Sequence, residues 1–259
     1  PGSEVIYETK MRELSKGRIF TRGDAKLNVV MVGNSITLAG FIPEQFDREM
    51  GPHCQSYNLG LPGQEQYMKE LRGMISRGDI PTHVLLQFPW PPRVEPKSWR
   101  QQLKEDHRIV NTLFPFRSLP RDLAIFLVLS RKDGMANYYA AKKQTAEQML
   151  ADRGYYFIEG QSRFKDHRLP DDHTFQTDRP DEVRHRRIET DALAFQELRK
   201  LAKQHDIQFI LVPSYFREHH HAEPPASNPK TLAALKPYDH FHSVGPDYFR
   251  LPNRYFSDP

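Results

Sequence analysis

Apolar positions along this chain fall into short runs separated by helix-length amphipathic stretches. Leu27–Val32, Gln55–Leu59, His83–Phe88 and Ile207–Val212 read as β-strands. The first, Leu-Asn-Val-Val-Met-Val, is a near-continuous β-branched run, the signature of a parallel strand buried on both faces. Between the second and third runs, Tyr67, Met68, Leu71, Met74 and Ile75 recur at helical spacing and predict a helix over Gln64–Arg77. Before the fourth, Ile188, Leu193, Phe195, Leu198 and Leu201 predict another over Arg187–Gln204. Strands alternating with helices imply right-handed crossovers and a parallel sheet covered on both faces. The expected class is therefore α/β, a three-layer α/β/α sandwich on a parallel, flavodoxin-like sheet.

Residues 91–182 interrupt this rhythm. Leu123–Leu129 fits a strand or a buried helix equally, because periodicity does not separate them in so short a run. Met135–Arg153 reads as helix, Tyr155–Ile158 as a possible added strand, and Gly160–Arg187, dense in charge, proline and histidine, as an exposed excursion. The whole stretch is expected to be an insertion near the functional crevice, within a single domain spanning residues 4–259. Pro1-Gly2-Ser3 reads as the remnant of a cleaved purification tag.

Composition narrows the picture modestly. A 259-residue chain can bury a sizeable core. With 38% hydrophobic residues and a mean hydropathy of −0.71, much of it must be polar connection. Prolines outnumber glycines, 21 to 14, which argues for stiff loops. Cys54 is the single cysteine, so an internal disulfide and a cysteine-based zinc site are both excluded. No apolar run approaches the roughly 20 residues that span a bilayer. The net charge of +4 is mild. The basic stretches Arg184-His185-Arg186-Arg187 and Arg163-Phe164-Lys165 are interleaved with Asp166, Asp171, Asp172, Asp178, Asp181 and Glu182, which cancel the field a nucleic acid would need. His219-His220-His221, with Glu218, His240 and His242, invites a metal reading, but three consecutive side chains do not converge easily on one ion, and no metal is expected.

The chemistry concentrates where the first strand ends, in Gly33-Asn34-Ser35. Open α/β sheets place ligands outside the carboxyl ends of their strands. Ser35 is a candidate nucleophile there, and the plainer alternative is that Asn34-Ser35 only caps the next helix. Two further fragments bear on the choice: Asn58-Leu59-Gly60-Leu61-Pro62-Gly63 after the second strand, and Phe256-Ser257-Asp258-Pro259 at the end.

In that order and at those positions, the three fragments resemble the SGNH (GDSL-like) hydrolase superfamily, and more narrowly its extracytoplasmic branch, whose members serve polysaccharide and cell-wall O-acylation. The resemblance covers the strand–helix framework and not the insertion. It implies that Ser35 is the nucleophile, with Asn34 standing where aspartate is usual. Gly60 would then give its N–H to the oxyanion hole beside that of Ser35. Such donors are worth about 3–4 kcal/mol each in acyl transfer. The family's third block supplies an asparagine after the third strand, and here the place reads Leu86-Gln87-Phe88-Pro89-Trp90. Either Gln87 substitutes or the hole has two donors. Trp90 is a candidate sugar platform against a background of ordinary packing, and Asn34 a weaker candidate for substrate contact.

The fourth block is Asp-x-x-His, and Asp258-Pro259 matches its start. The expected histidine lies at the second residue past Pro259, outside the sequence, in a longer natural polypeptide. Tyr238-Asp239-His240-Phe241-His242 is the alternative source of a base. The resemblance implies a serine esterase or O-acetyltransferase acting on an exopolysaccharide or cell-wall glycan. It needs no cofactor, sits outside the cytoplasm (periplasmic, or anchored by an upstream segment), and works with a carbohydrate or acylated glycan and a membrane-bound acyl-donor partner. No nucleic acid is involved. The rival expectation is a non-catalytic carbohydrate-binding or scaffold protein of the same fold with an incomplete triad.

Overall fold

The structure, a computed structural model, describes residues 3–62, 67–88, 119–157, 168–171, 190, 193–213, 216–217, 233–244, 250–252 and 254. All four runs expected to be strands are strands: β1 (Leu27–Gly33), β2 (Cys54–Gly60), β3 (His83–Phe88) and β4 (Gln208–Pro213). Two short strands that the hydrophobic pattern does not predict, β5 (Phe216–Arg217) and β7 (Arg250–Leu251), pair with each other, and a third, β6 (Phe241–Ser243), joins the main sheet. That main sheet has five strands, all parallel, in the order β2-β1-β3-β4-β6. The chain thus moves from β1 outward to β2, then returns past β1 to β3. The boundary between β1 and β3 is the point where strand order reverses, and such points are where open parallel sheets form their crevices.

Alternation along each strand divides the core. Val30, Val32, Val84, Leu86, Phe209 and Leu211 face one layer of helices. That layer contains α1 (Ser3–Lys16), α4 (Tyr67–Ser76) and α6 (Leu193–His205), which contribute Met11 and Leu14, Leu71 and Met74, and Phe195 and Leu198. Each such side chain, fully buried, stabilises the fold by about 1.5–3 kcal/mol. Met31 and Val212 face the other way, toward Phe41 and Phe46 on and beside α2 (Ser35–Gly40) and α3 (Pro43–Met50). An aromatic group fastens the far edge: Phe241 of β6 stacks on Phe209 at 5.3 Å and lies 4.8 Å from Phe195.

Three predicted details are corrected. Helix α6 begins at Leu193, and Leu193 itself is exposed, because Ala194 and Phe195 turn inward instead. Leu123–Leu129 is helical, part of α5 (Leu119–Ala151), which breaks at Gly134. Leu127 and Val128 there are exposed. Residues 155–157 form no strand. Of the excursion at 160–187, residues 168–171 are described, and Leu169 is buried. The last turns of α5 belong to the body of the domain, since Met149 packs with Ile6 of α1 and Leu38 of α2. No helix among the described residues is long and apolar enough to cross a membrane.

Strand β2 is the edge of the sheet, and an open edge invites pairing with another chain. Here it is covered. The N–H of Asn58 donates to the carbonyl of Arg153 just past α5 (2.9 Å), while the carbonyls of Asn58 and Gly60 accept from Lys10 of α1. Beside this edge, Cys54 is buried against Asp47, and burial raises its thiol pKa to about 11. A thiol held in its protonated form is a poor nucleophile. Titration with a disulfide reagent at pH 8 is expected to show no reactive thiol until denaturant is added.

Candidate functional site

Ser35 is exposed at the carboxyl end of β1, at the reversal point between β1 and β3. The turn that carries it is held from several sides. Asn34 is the N-cap of α2, its side-chain oxygen accepting from the N–H of Ile36 at 2.8 Å. The carbonyl of Asn34 accepts from Leu38 N–H at 3.0 Å. From the adjacent strand end, Gln87 Oε1 accepts two hydrogen bonds, from the Asn34 N–H at 3.0 Å and the Thr37 hydroxyl at 2.6 Å. Gly33 is required by this convergence. A Cβ there would stand 1.8 Å from Thr37 Oγ1 and 2.3 Å from Gln87 Oε1, too close for any side chain. The plain capping role and an exposed serine are thus both realised, by neighbouring residues. Replacing Asn34 by Ala is expected to cost about 1 kcal/mol of stability through the lost cap, measurable by urea unfolding.

The structure separates the other expected site residues. The Gly60 N–H is already engaged. Gly60 is buried, and its N–H donates to Asn58 Oδ1 at 2.8 Å. A Cβ on Gly60 would lie 2.4 Å from Leu38 N and 2.8 Å from Leu38 Cα, so α2 rests directly on it. Its glycine identity comes from that close contact, not from an approaching substrate. The sequence signal was present: an asparagine two residues before a glycine commonly bonds the backbone N–H two positions on. Gln87 bonds the residues on either side of Ser35 across the β1–β3 boundary, Asn34 and Thr37, and its side-chain oxygen is engaged in positioning the turn. Asn34 likewise has its side-chain oxygen committed to the cap. Trp90, Gly63, Asp258 and the His219–His221 run lie outside the described residues.

The Ser35 N–H and hydroxyl have no hydrogen-bond partner among the described residues. His240 and His242 do not supply a base, because they lie elsewhere. His242 pairs by register with Ile210 in the middle of β4, and both rings contact the side chain of Gln208, the first residue of β4, at 3.0 and 3.1 Å. That is toward the amino end of the sheet, three strands from β1. Among the described residues no group of three or more His, Cys, Asp or Glu is placed to hold a metal ion.

Residues 250–252 and 254 lie beyond β4 in the fold. β5 follows β4 by two residues and pairs in parallel with β7, which brings residues 250–251 past the carboxyl end of β4. Asp171 then accepts from both the backbone N–H (2.9 Å) and the guanidinium (3.0 Å) of Arg254, tying the last described residue to the 168–171 segment. Comparison with known proteins adds no family: no family model, curated protein or solved structure matches the chain. Geometry and residue chemistry carry the functional reading.

One residue of consequence escapes the sequence pattern. Lys10 is wholly buried on α1. Its Nζ donates to the carbonyls of Asn58 and Gly60 at 2.8 and 2.7 Å, with a longer contact of 3.4 Å to Asn58 Oδ1. Among the described residues no carboxylate pairs with it, and desolvation holds its pKa well below the usual lysine range.

Proposed function

We propose that this protein is a serine-dependent acyl-ester enzyme of SGNH type acting on carbohydrate, an O-acetyl esterase or an O-acetyltransferase. The observation that carries the reading is the exposed Ser35, held in a rigid turn at the reversal point of an all-parallel sheet. In this mechanism the Ser35 hydroxyl attacks the acyl carbonyl carbon, giving its proton to a histidine beyond Pro259 that Asp258 orients. Negative charge develops on the carbonyl oxygen, and the N–H of Ser35, at the start of α2, donates to it. The tetrahedral intermediate collapses to an acyl-serine, and the histidine returns its proton to the leaving oxygen as the sugar alcohol departs. Water or another sugar hydroxyl, deprotonated by the same histidine, then takes the acyl group. Esterase and transferase share every one of these groups and differ in how well water is excluded. The position of residues 250–254 on the carboxyl side of the sheet supports Asp258 as the partner. The carbohydrate substrate, the extracytoplasmic setting and a membrane-bound acyl donor rest on the family resemblance.

A non-catalytic carbohydrate-binding or scaffold role is favoured by one specific observation, the occupied N–H of Gly60. Treating the full-length protein with a fluorophosphonate and mapping the adduct by mass spectrometry decides between them. Adduct on Ser35 is the expected result. Label on another residue, or none under conditions that label a control esterase, rejects the enzyme reading.

A further inference from the structure

We propose that Lys10 is a positioning residue for the serine turn: it anchors a buried hydrogen-bond chain that fixes α2, and with it Ser35, at the carboxyl end of the sheet. The inference rests on the reading of Ser35 as nucleophile. Helix α2 has six residues, too few to hold its own geometry in isolation. What grips its two ends therefore decides where Ser35 stands. At the start, Gln87 Oε1 accepts from Asn34 N–H and the Thr37 hydroxyl. At the end, Asn58 Nδ2 donates to the carbonyls of Thr37, Leu38 and Phe41 at 2.9, 3.1 and 2.7 Å, adding to the Phe41 N–H on Thr37 O and the Tyr156 N–H on Leu38 O.

Asn58 can do this only with its amide in one of two orientations. Both groups that select that orientation face Oδ1: the Gly60 N–H at 2.8 Å and Lys10 Nζ at 3.4 Å. Lys10 also clamps the main chain on either side of Leu59, through the Asn58 and Gly60 carbonyls. The chain Lys10–Asn58–α2–Thr37–Gln87 is sealed from water throughout. Lys10 and Asn58 are 0% exposed, Thr37 1% and Gln87 5%. An edge cap alone would need only the two carbonyl bonds. The added contact to the amide that holds α2 is what links the N-terminal helix to the serine.

The test uses the full-length protein with Lys10→Met, which keeps the length of the side chain and removes the donors. Leu198→Ala serves as control, because Leu198 lies in the core on α6 and outside the chain of bonds. A displacement of about 1 Å at a reacting group can cost about 10²-fold in rate. Lys10→Met is expected to slow fluorophosphonate labelling of Ser35 by at least about tenfold at a temperature where the variant is folded. Hydrogen exchange at the Asn34 and Leu38 amides should rise, while exchange at Leu211 of β4 stays near wild type. Leu198→Ala should lower the melting temperature and leave labelling and the Asn34 and Leu38 amides alone. Equal labelling in wild type and Lys10→Met, or exchange that rises alike in both variants, overturns the proposal. Locally raised exchange without any labelling of wild-type Ser35 supports the anchoring and rejects the nucleophile. Where Lys10→Met does not fold, Thr37→Val is expected to produce the same local exchange and slower labelling, with Thr37→Ser restoring both. A Thr37→Val protein indistinguishable from wild type also overturns it.

Discussion

Replacing Ser35 by Ala is expected to reduce p-nitrophenyl acetate hydrolysis by the full-length protein about 10⁴-fold or more while leaving its melting curve in place. The size follows from the role. Loss of the nucleophile removes the covalent route altogether, and what is left is the oxyanion donor and binding, worth only about 10³–10⁴ over water. A 10⁴-fold loss corresponds to about 5.5 kcal/mol of transition-state stabilisation. The stability half of the expectation comes from the structure. Ser35 is exposed and has no hydrogen-bond partner among the described residues, so its hydroxyl contributes within about 0.5 kcal/mol of nothing to folding. Asn34, one residue earlier, shows the opposite profile, because it holds the helix cap. A Ser35→Ala protein that hydrolyses the ester at more than a tenth of the wild-type rate would remove this serine from the chemistry.

The framework was legible in the sequence for a physical reason. β1, β3 and β4 are central strands, covered on both sides, and their apolar runs leave little choice of structure. β6 and β7 are three and two residues long and carry His242 and Arg250, so no hydrophobic pattern marks them. Helix α1 was missed for a more telling cause. Its buried face runs through Val5, Ile6, Thr9, Lys10, Met11 and Leu14, and two polar residues at the centre of that face break the periodicity that would have revealed it. The residue that hides the helix is the one whose burial gives it a role. Helix α3 buries only Pro43 completely, which leaves too narrow an apolar stripe to read.

The candidate site divides in the same way. Local chemistry was readable: a Gly-Asn-Ser turn after a buried strand produced both the cap and the exposed hydroxyl. The engagement of Gly60 is not legible, because a glycine has several uses that look identical in sequence. Here the close pass of α2 over the end of β2, a contact between elements, sets its identity. In the sequence nothing sets Asn58 apart from its motif, although its side chain joins three elements. Such a role depends on which backbone groups are left over after the sheet and helices form, and that is a property of the assembled fold.

Asn58→Ala is therefore the substitution expected to cost most in stability. It strips the Thr37, Leu38 and Phe41 carbonyls and the Gly60 N–H of their shared partner, in a region with Asn58 itself 0% exposed. A buried polar group left unsatisfied costs about 1–3 kcal/mol. The Phe41 N–H still donates to Thr37 O and the Tyr156 N–H to Leu38 O, so the main losses fall on the Phe41 carbonyl and the Gly60 N–H. A total of about 4 kcal/mol is expected, a large share of the roughly 5–15 kcal/mol that holds a typical domain together. At about 2–4 °C per kcal/mol for a chain of this size, the melting temperature should fall by roughly 8–16 °C. Asn58→Asp separates the two faces of the side chain. It preserves an oxygen for the Gly60 N–H and offers Lys10 a carboxylate, but it turns an acceptor toward three carbonyl oxygens. If the hold on α2 is what matters, Asp at 58 melts at least as low as Ala. If the contact with Lys10 carries the stability, Asp melts at or above wild type, and α2 must be held by Gln87 alone.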